Sequence, residues 1–193
     1  ETLLEGWPAY EFGDGSTSAG GILRGSDQAP KIRFYSRSSA DAPNRFSVEF
    51  QDAFNEYQQD SVSLVDVDDV LASGQETSAA LPALGLANFD QATRMVKLQL
   101  LKSVRGNLYV EFETSVRAYG LHPGDLITLT YEKEGFLRQP FRVLRIAPGL
   151  NHRTTLITAQ FHNDDWYVQT AGNGAESSGR QPKYELGLPR PLG

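Results

Sequence analysis

The sequence predicts a mainly β, α+β fold, with antiparallel strands forming a small barrel or curled sheets and one packed amphipathic helix at about 89–104. Two observations carry that expectation. Short stretches of alternating apolar and polar residues recur between Gly, Pro and Asn turns, and only one segment shows apolar residues at helical spacing. At 193 residues the chain is long enough to bury a sizeable core without covalent staples.

In chain order, residues 1–42 read as a flexible arm or an extra strand. Gly13, Gly15, Gly20, Gly21 and Gly25 punctuate it, and only Ile32, Phe34 and Tyr35 suggest a strand. Residues 43–168 read as the β-rich body. Phe46, Val48 and Phe50 alternate with polar neighbours, and Val62 and Leu64 mark a second strand. Thr77 to Leu81 is a further extended piece. Asn88 is placed to cap a helix, Asp90 favours its first turn, and Phe89, Ala92, Val96, Leu100 and Val104 form its stripe. Gly106 is expected to close that helix in the left-handed conformation. Leu108 to Thr114, Leu126 to Tyr131, Phe141 to Ile146 and Thr154 to Phe161 complete the strands, joined by turns at 120–124, 132–135 and 148–151. Residues 169–193, broken by Gly172, Gly174, Gly179, Pro182, Pro189 and Pro191, read as a linker or an exit toward a following module.

Composition narrows the function. The net charge is −6 and there is no cysteine, so disulfides, cysteine-ligated zinc and thiolate nucleophiles are excluded. No run approaches the ~18 apolar residues of a spanning helix, and no basic, apolar leader stands at the start. The acidic balance argues against specific nucleic-acid binding as the main task. Charge is nevertheless uneven. Residues 61–90 hold no basic and 5 acidic side chains, whereas residues 91–160 hold 10 basic and 5 acidic ones. Opposite fields of this kind complement each other within a fold or between neighbouring copies.

Chemistry-bearing constellations are sparse. Asp66, Asp68 and Asp69 invite a calcium loop, but the EF-hand spacing demands Gly and Glu where Leu71 and Thr77 stand, and a solvated turn explains the acids. His122, His152 and His162 are too dispersed for a zinc site, and His162 with Asp164 and Asp165 fits a polar loop equally well. Glu111 and Glu113 share one strand face, where paired carboxylates need no catalytic role. Arg138, Arg142, Arg145 and Arg153 could line a basic strip suited to a nucleic-acid groove or to a charged interface. Trp7, Tyr10, Tyr57, Trp166 and Tyr167 could stack on sugar rings, which makes a carbohydrate-binding module of a tail or surface protein the alternative reading. No phosphate loop, dinucleotide fingerprint or serine elbow is present, so no cofactor, metal or catalytic residue is expected.

Two runs have a recognisable pattern. The first is N-R-x-x-V-x-F-x-D-x-x-N-x-Y-Q, with Asn44, Arg45, Phe46, Val48, Phe50, Asn55, Tyr57 and Gln58; the second is L-x-P-G-D, with Leu121, Pro123, Gly124 and Asp125. With Asn88 to Ala92 and Ile157 to Gln160, they give a chain that resembles the putative phage tail protein family over about residues 43–167. That family includes tail-tip and host-specificity proteins of long-tailed phages and hub proteins of gene transfer agents. The resemblance implies a non-enzymatic hub domain in a phage or phage-like tail tip or baseplate, made in the bacterial cytoplasm and assembled into the particle. Its implied partners are other tail-hub or tail-tube proteins and further copies of itself, in a trimeric ring of the full-length parent. It implies no membrane. Arg45 could pair with an acid that the sequence does not identify, and Leu121 to Asp125 reads as the turn into a barrel strand, where Asp125 can accept local backbone hydrogen bonds.

Overall fold

A computed structural model describes residues 10–16, 19–38, 41–83, 85–149 and 152–167. Trp7 and the Pro-rich tail from 169 onward lie outside the described residues. Contacts divide the described residues into two compact units, one drawn from residues up to 42 and from 102–167, the other from residues 43–101.

The first unit is a six-stranded curled half-barrel. Its strands are β1 (Tyr10–Gly13), β2 (Ile32–Tyr35), β6 (Tyr109–Ser115), β7 (Leu126–Tyr131), β8 (Phe136–Pro148) and β9 (Thr154–Phe161), in the order β1-β7-β8-β9-β6-β2. The second unit holds β3 (Arg45–Asp52), β4 (Gln58–Val65) and β5 (Ser78–Pro82) in the order β4-β3-β5, with helix α1 (Val67–Ser73) and helix α2 (Phe89–Val104) up to Leu101.

Alternation along β6 and β9 accounts for part of the barrel core. Val110, Phe112, Ile127, Leu129, Phe141, Val143, Ile157 and Ala159 are buried together with Phe12 and Leu121. The Phe12 and Phe112 rings meet at 5.1 Å. A register irregularity between Val143 and Arg145 lets Arg142 and Arg145 oppose Gln160 and Thr158, so both arginines stand on the outward face although they are three residues apart.

The glycine-rich N-terminal region supplies more structure than punctuation suggests. Besides β1 and β2, Gly21 bridges Gly13, and Ile22 bridges Thr114 of β6. Gly21 has φ +110, and a Cβ there would lie 3.2 Å from the Phe12 ring, so the close crossing depends on glycine.

Several local expectations change. Pairing is not purely antiparallel, because β1 runs parallel to β7 and β5 runs parallel to β3. The strand expected to start at Phe141 begins at Phe136 and passes through Pro140. Proline lacks the amide donor, but its carbonyl still accepts from the His162 amide at 3.1 Å. Gly106 does not adopt the left-handed conformation. Its requirement is space instead, since a Cβ there would stand 2.7 Å from the Lys102 carbonyl oxygen and 2.8 Å from the Trp166 ring.

The acidic run after β4 is a helix rather than a bare turn. The Asp66 carboxylate caps α1 by accepting from the Asp69 amide at 3.0 Å, Asp68 and Asp69 occupy its first turn, and Gly74 closes it at φ 69. None of its residues is buried, so no apolar stripe announced it. In α2, Ala92, Val96 and Leu100 are buried as the stripe predicts, Asn88 accepts from the Asp90 amide at 2.8 Å, and Phe89 meets the Phe50 ring.

Candidate functional site

The first motif run forms the β3–β4 hairpin and the polar joint at its base. Phe46, Val48 and Phe50 form the buried face of β3. Asn44 is only 1% exposed, yet every polar group of its side chain is used. Its Oδ1 accepts from the Thr77 amide at 2.8 Å, and its Nδ2 donates to the Gln75 carbonyl at 2.8 Å and to Asp69 Oδ2 at 3.0 Å. Its backbone amide donates to the Thr77 carbonyl, while its own carbonyl accepts from the Asp66 amide. One side chain thus fastens the start of β3 to α1 and to the entry of β5, which explains an asparagine at this position.

Arg45 donates to Glu76 Oε1 at 2.7 Å and to the Ser63 hydroxyl at 3.1 Å, giving the arginine the acidic partner that sequence left unassigned. Both ends of the Arg45–Glu76 pair are about half exposed, so it orients more than it stabilises.

At the far end, buried Asp52 accepts from the Phe54 amide at 3.1 Å, and its carbonyl accepts from the Tyr57 amide at 2.8 Å. The Asn55 amide group donates to Gln58 Oε1 at 3.4 Å across the turn. Glu56 and Tyr57 have φ of 55 and 57, two consecutive left-handed residues without a glycine. Phe54 is 59% exposed and Tyr57 63%.

The second run forms a corner in the other unit. Leu121 is buried in the barrel core. Asp125 Oδ2 accepts from the His122 amide at 2.7 Å, and Gly124 has φ +103. The Gly124 amide donates to the Val143 carbonyl, Val143 donates back to Asp125, and the Arg142 guanidinium donates to the Gly124 carbonyl at 2.7 Å. Pro123 sits within this turn, and the motif fixes where β7 begins. The two runs therefore belong to separate units.

The remaining candidates are dispersed. Lys31 pairs with Glu113 and, with help from Thr154, holds that carboxyl below its ordinary value, which assigns Glu113 a structural partner. His162 is 2% exposed and contacts Asp164 Oδ1 at 2.9 Å. Burial holds its imidazole below the ordinary value, opposed by the Asp164 hydrogen bond. Its ring neighbours are Trp166 and Tyr167, and Lys102 and Arg142 lie over the Tyr167 ring at 5.6 and 6.0 Å. Among the described residues no cluster of His, Asp or Glu could hold a metal ion. Tyr10 packs beside Phe12, Trp166 beside Phe161, and Tyr57 stands on the hairpin, so these rings occupy different elements. No described helix is long and apolar enough to cross a membrane.

A second surface was not anticipated from sequence. Tyr35 and Tyr109 stack at 5.4 Å, with the Arg33 and Arg37 guanidinium groups each 5.1 Å from one of the two ring centroids. Asn107 holds this end of β2 in place, accepting from the Arg37 amide at 2.9 Å and donating to the Arg37 carbonyl at 3.0 Å.

Comparison with solved structures gives a chain of the native gene transfer agent virion, at TM-score 0.65 and 16% identity, covering 86% of this chain and 34% of that one. A tail protein from Neisseria meningitidis MC58 aligns at TM-score 0.47 and 12% identity, over 83% of this chain and 46% of the other. The 43 kDa tail protein of prophage MuSo2 from Shewanella oneidensis aligns at TM-score 0.47 and 11% identity, over 84% and 47%. The chain thus spans less than half the length of each of these three proteins. None of the curated proteins compared with the chain matches it in sequence. The family described as putative phage tail protein matches residues 18–146, a stretch that takes in both motif runs, most of the half-barrel and the whole described three-stranded unit, and the chain belongs to that family.

Proposed function

We propose that this chain is a passive architectural joint at the tip of a phage or phage-like tail, a hub or baseplate module that binds other tail-hub or tail-tube proteins and further copies of itself. In the full-length parent the copies form a ring, with three-fold symmetry as the working arrangement. The family match over residues 18–146 carries this reading. The side chains support it by what they do. Asn44, Arg45, Asp52 and Asp125 spend their polar groups on backbone and neighbouring side chains, as parts of a rigid framework do. The charged residues that could have served chemistry are likewise committed, Glu113 to Lys31 and His162 to Asp164.

The protein is made in the bacterial cytoplasm before it joins the particle. The test is location and necessity. An epitope-tagged chain expressed with its neighbouring tail genes should be labelled at one end of the tail in electron micrographs, and deletion should abolish tails of normal form. Label spread through the cytosol alone, with normal tails in the deletion strain, would sink the reading.

A further inference from the structure

The β3–β4 tip holds two consecutive residues in a conformation that few non-glycine residues adopt. Two adjacent non-glycine residues, Glu56 and Tyr57, are held left-handed by the Asp52 hydrogen bonds beneath them. The aromatic rings displayed by this turn, Phe54 and Tyr57, are more than half exposed and make no ring contact among the described residues. Glu56 between them is exposed and has no cationic partner among the described residues. The tip therefore presents an acid flanked by two unpacked rings on a rigid base. It belongs to a segment, residues 43–101, with 3 basic and 9 acidic side chains, so a complementary surface would be basic and flat enough to accept rings.

The same chain carries such a surface. Arg33 and Arg37 are exposed and lie against the stacked Tyr35 and Tyr109 rings. Neither arginine is within ion-pair distance of a carboxylate among the described residues, and although Glu111 stands opposite Arg33 in the β2–β6 register, Arg37 leaves the patch with a net positive charge. A guanidinium held on an aromatic face keeps donors available for an incoming carboxylate.

We infer that the 53–57 tip of one copy docks on the Arg33, Tyr35, Arg37 and Tyr109 patch of a second copy, Phe54 and Tyr57 covering the rings and Glu56 meeting the arginines. The two patches differ, so the contact is head-to-tail and can repeat around a closed ring. This names the partner surface within the architectural role proposed above and rests on that role.

Sedimentation equilibrium of the whole 193-residue chain tests it. Wild type should self-associate, and added salt should weaken the contact. Phe54→Ala with Tyr57→Ala should weaken it about 10- to 100-fold, the range of central interface anchors. Glu56→Arg alone and Arg33→Glu with Arg37→Glu alone should each abolish self-association, and an equimolar mixture of the two variants should restore association between them. Because all three charge changes fall on exposed side chains, unchanged circular dichroism keeps misfolding from mimicking the result. A wild-type chain still monomeric at about millimolar concentration, beyond the weakest useful affinity, would overturn the proposal. So would association indifferent to these substitutions, or a mixture that fails to associate. If the tagged chain nevertheless labels tail ends, the docking proposal alone falls.

Discussion

Replacing Asn44 probes the joint on which the hairpin stands. Asn44→Ala removes three side-chain hydrogen bonds, one to a carboxylate, from a position that is 1% exposed. At about 1 kcal/mol for each neutral bond, somewhat more for the charged one, and a small cavity, the loss is about 2–4 kcal/mol. Asn44→Asp separates the contributions. Its carboxylate can still accept from the Thr77 amide, but its second oxygen would face Asp69 Oδ2 and the Gln75 carbonyl, where the asparagine presented a donor. Burial and the Asp69 charge would raise the new carboxyl's pKa, and once protonated it can donate again. The folded state then binds the proton more readily than the unfolded state, so the Asn44→Asp variant gains stability relative to wild type as pH falls toward 5. Hydrogen exchange read by mass spectrometry on peptides from 43–83 reports opening of this unit. Exchange should rise about 30- to 1000-fold for the alanine variant at pH 7, the equivalent of 2–4 kcal/mol at 1.4 kcal/mol per tenfold. After correction for intrinsic exchange, the aspartate variant should approach wild type at low pH. An alanine variant within threefold of wild type, or an aspartate variant without pH dependence, would refute the account of Asn44 as a fastening residue.

Thr155 is fully buried and its hydroxyl has no hydrogen-bond partner among the described residues, so Thr155→Val should raise stability by about 1 kcal/mol in urea unfolding monitored by Trp fluorescence. His162 is held below its ordinary pKa of about 6.5 by burial, so the unfolded chain takes up the proton first. The stabilisation is present above about pH 6.5 and is lost as pH falls from there toward the folded value, with a slope of at most about 1.4 kcal/mol per pH unit; the wild-type minus His162→Gln difference in unfolding free energy should show it. Gly124→Ala meets open space but keeps φ +103, so it should cost about 1–3 kcal/mol, seen as a lower Tm. Tyr57→Gly should do the opposite, since removing about 1–2 kcal/mol of left-handed strain outweighs ~0.4–1 kcal/mol of added chain entropy; a higher Tm should accompany weaker self-association.

What the sequence made legible follows from the range of the forces involved. The buried faces of β3, β6 and β9 and the stripe of α2 could be read because alternation and helical spacing are local signals of burial, whereas β7 is buried on both faces and alternation does not mark it. The parallel pairing of β3 with β5 and β1 with β7 could not, because a strand's neighbour is set by contacts far along the chain. Helix α1 escaped notice because it buries no residue, and its caps, Asp66 and Gly74, read equally well as a turn. At the candidate site, the corner from Leu121 to Asp125 was visible because Pro123, Gly124 and the local Asp125–His122 bond are turn signals within a few residues, whereas its bonds to Arg142 and Val143 were not. The Asn44 joint was not, since its side-chain partners lie 25 to 33 positions away. The stacked tyrosines of β2 and β6 are farther apart still in sequence, and neither residue carries a pattern of its own.

The hairpin run divides its residues among three tasks, and the division explains how an exposed aromatic tip can persist. Phe46, Val48 and Phe50 anchor β3 by burial, while Asn44, Arg45 and Asp52 fix the two ends of the strand with hydrogen bonds. Only after those constraints are satisfied can Glu56 and Tyr57 be held in a conformation that a free chain rarely samples. A loop held in this way has already lost the entropy that a flexible one would surrender on meeting a partner, so each apolar contact made by Phe54 and Tyr57 counts more fully toward association. Strain at the tip and strength at its base are therefore parts of one arrangement. Loosening the base through Asn44 should weaken self-association even though Asn44 itself is buried away from any partner, whereas relaxing the tip through Tyr57→Gly should weaken it while making the fold more stable.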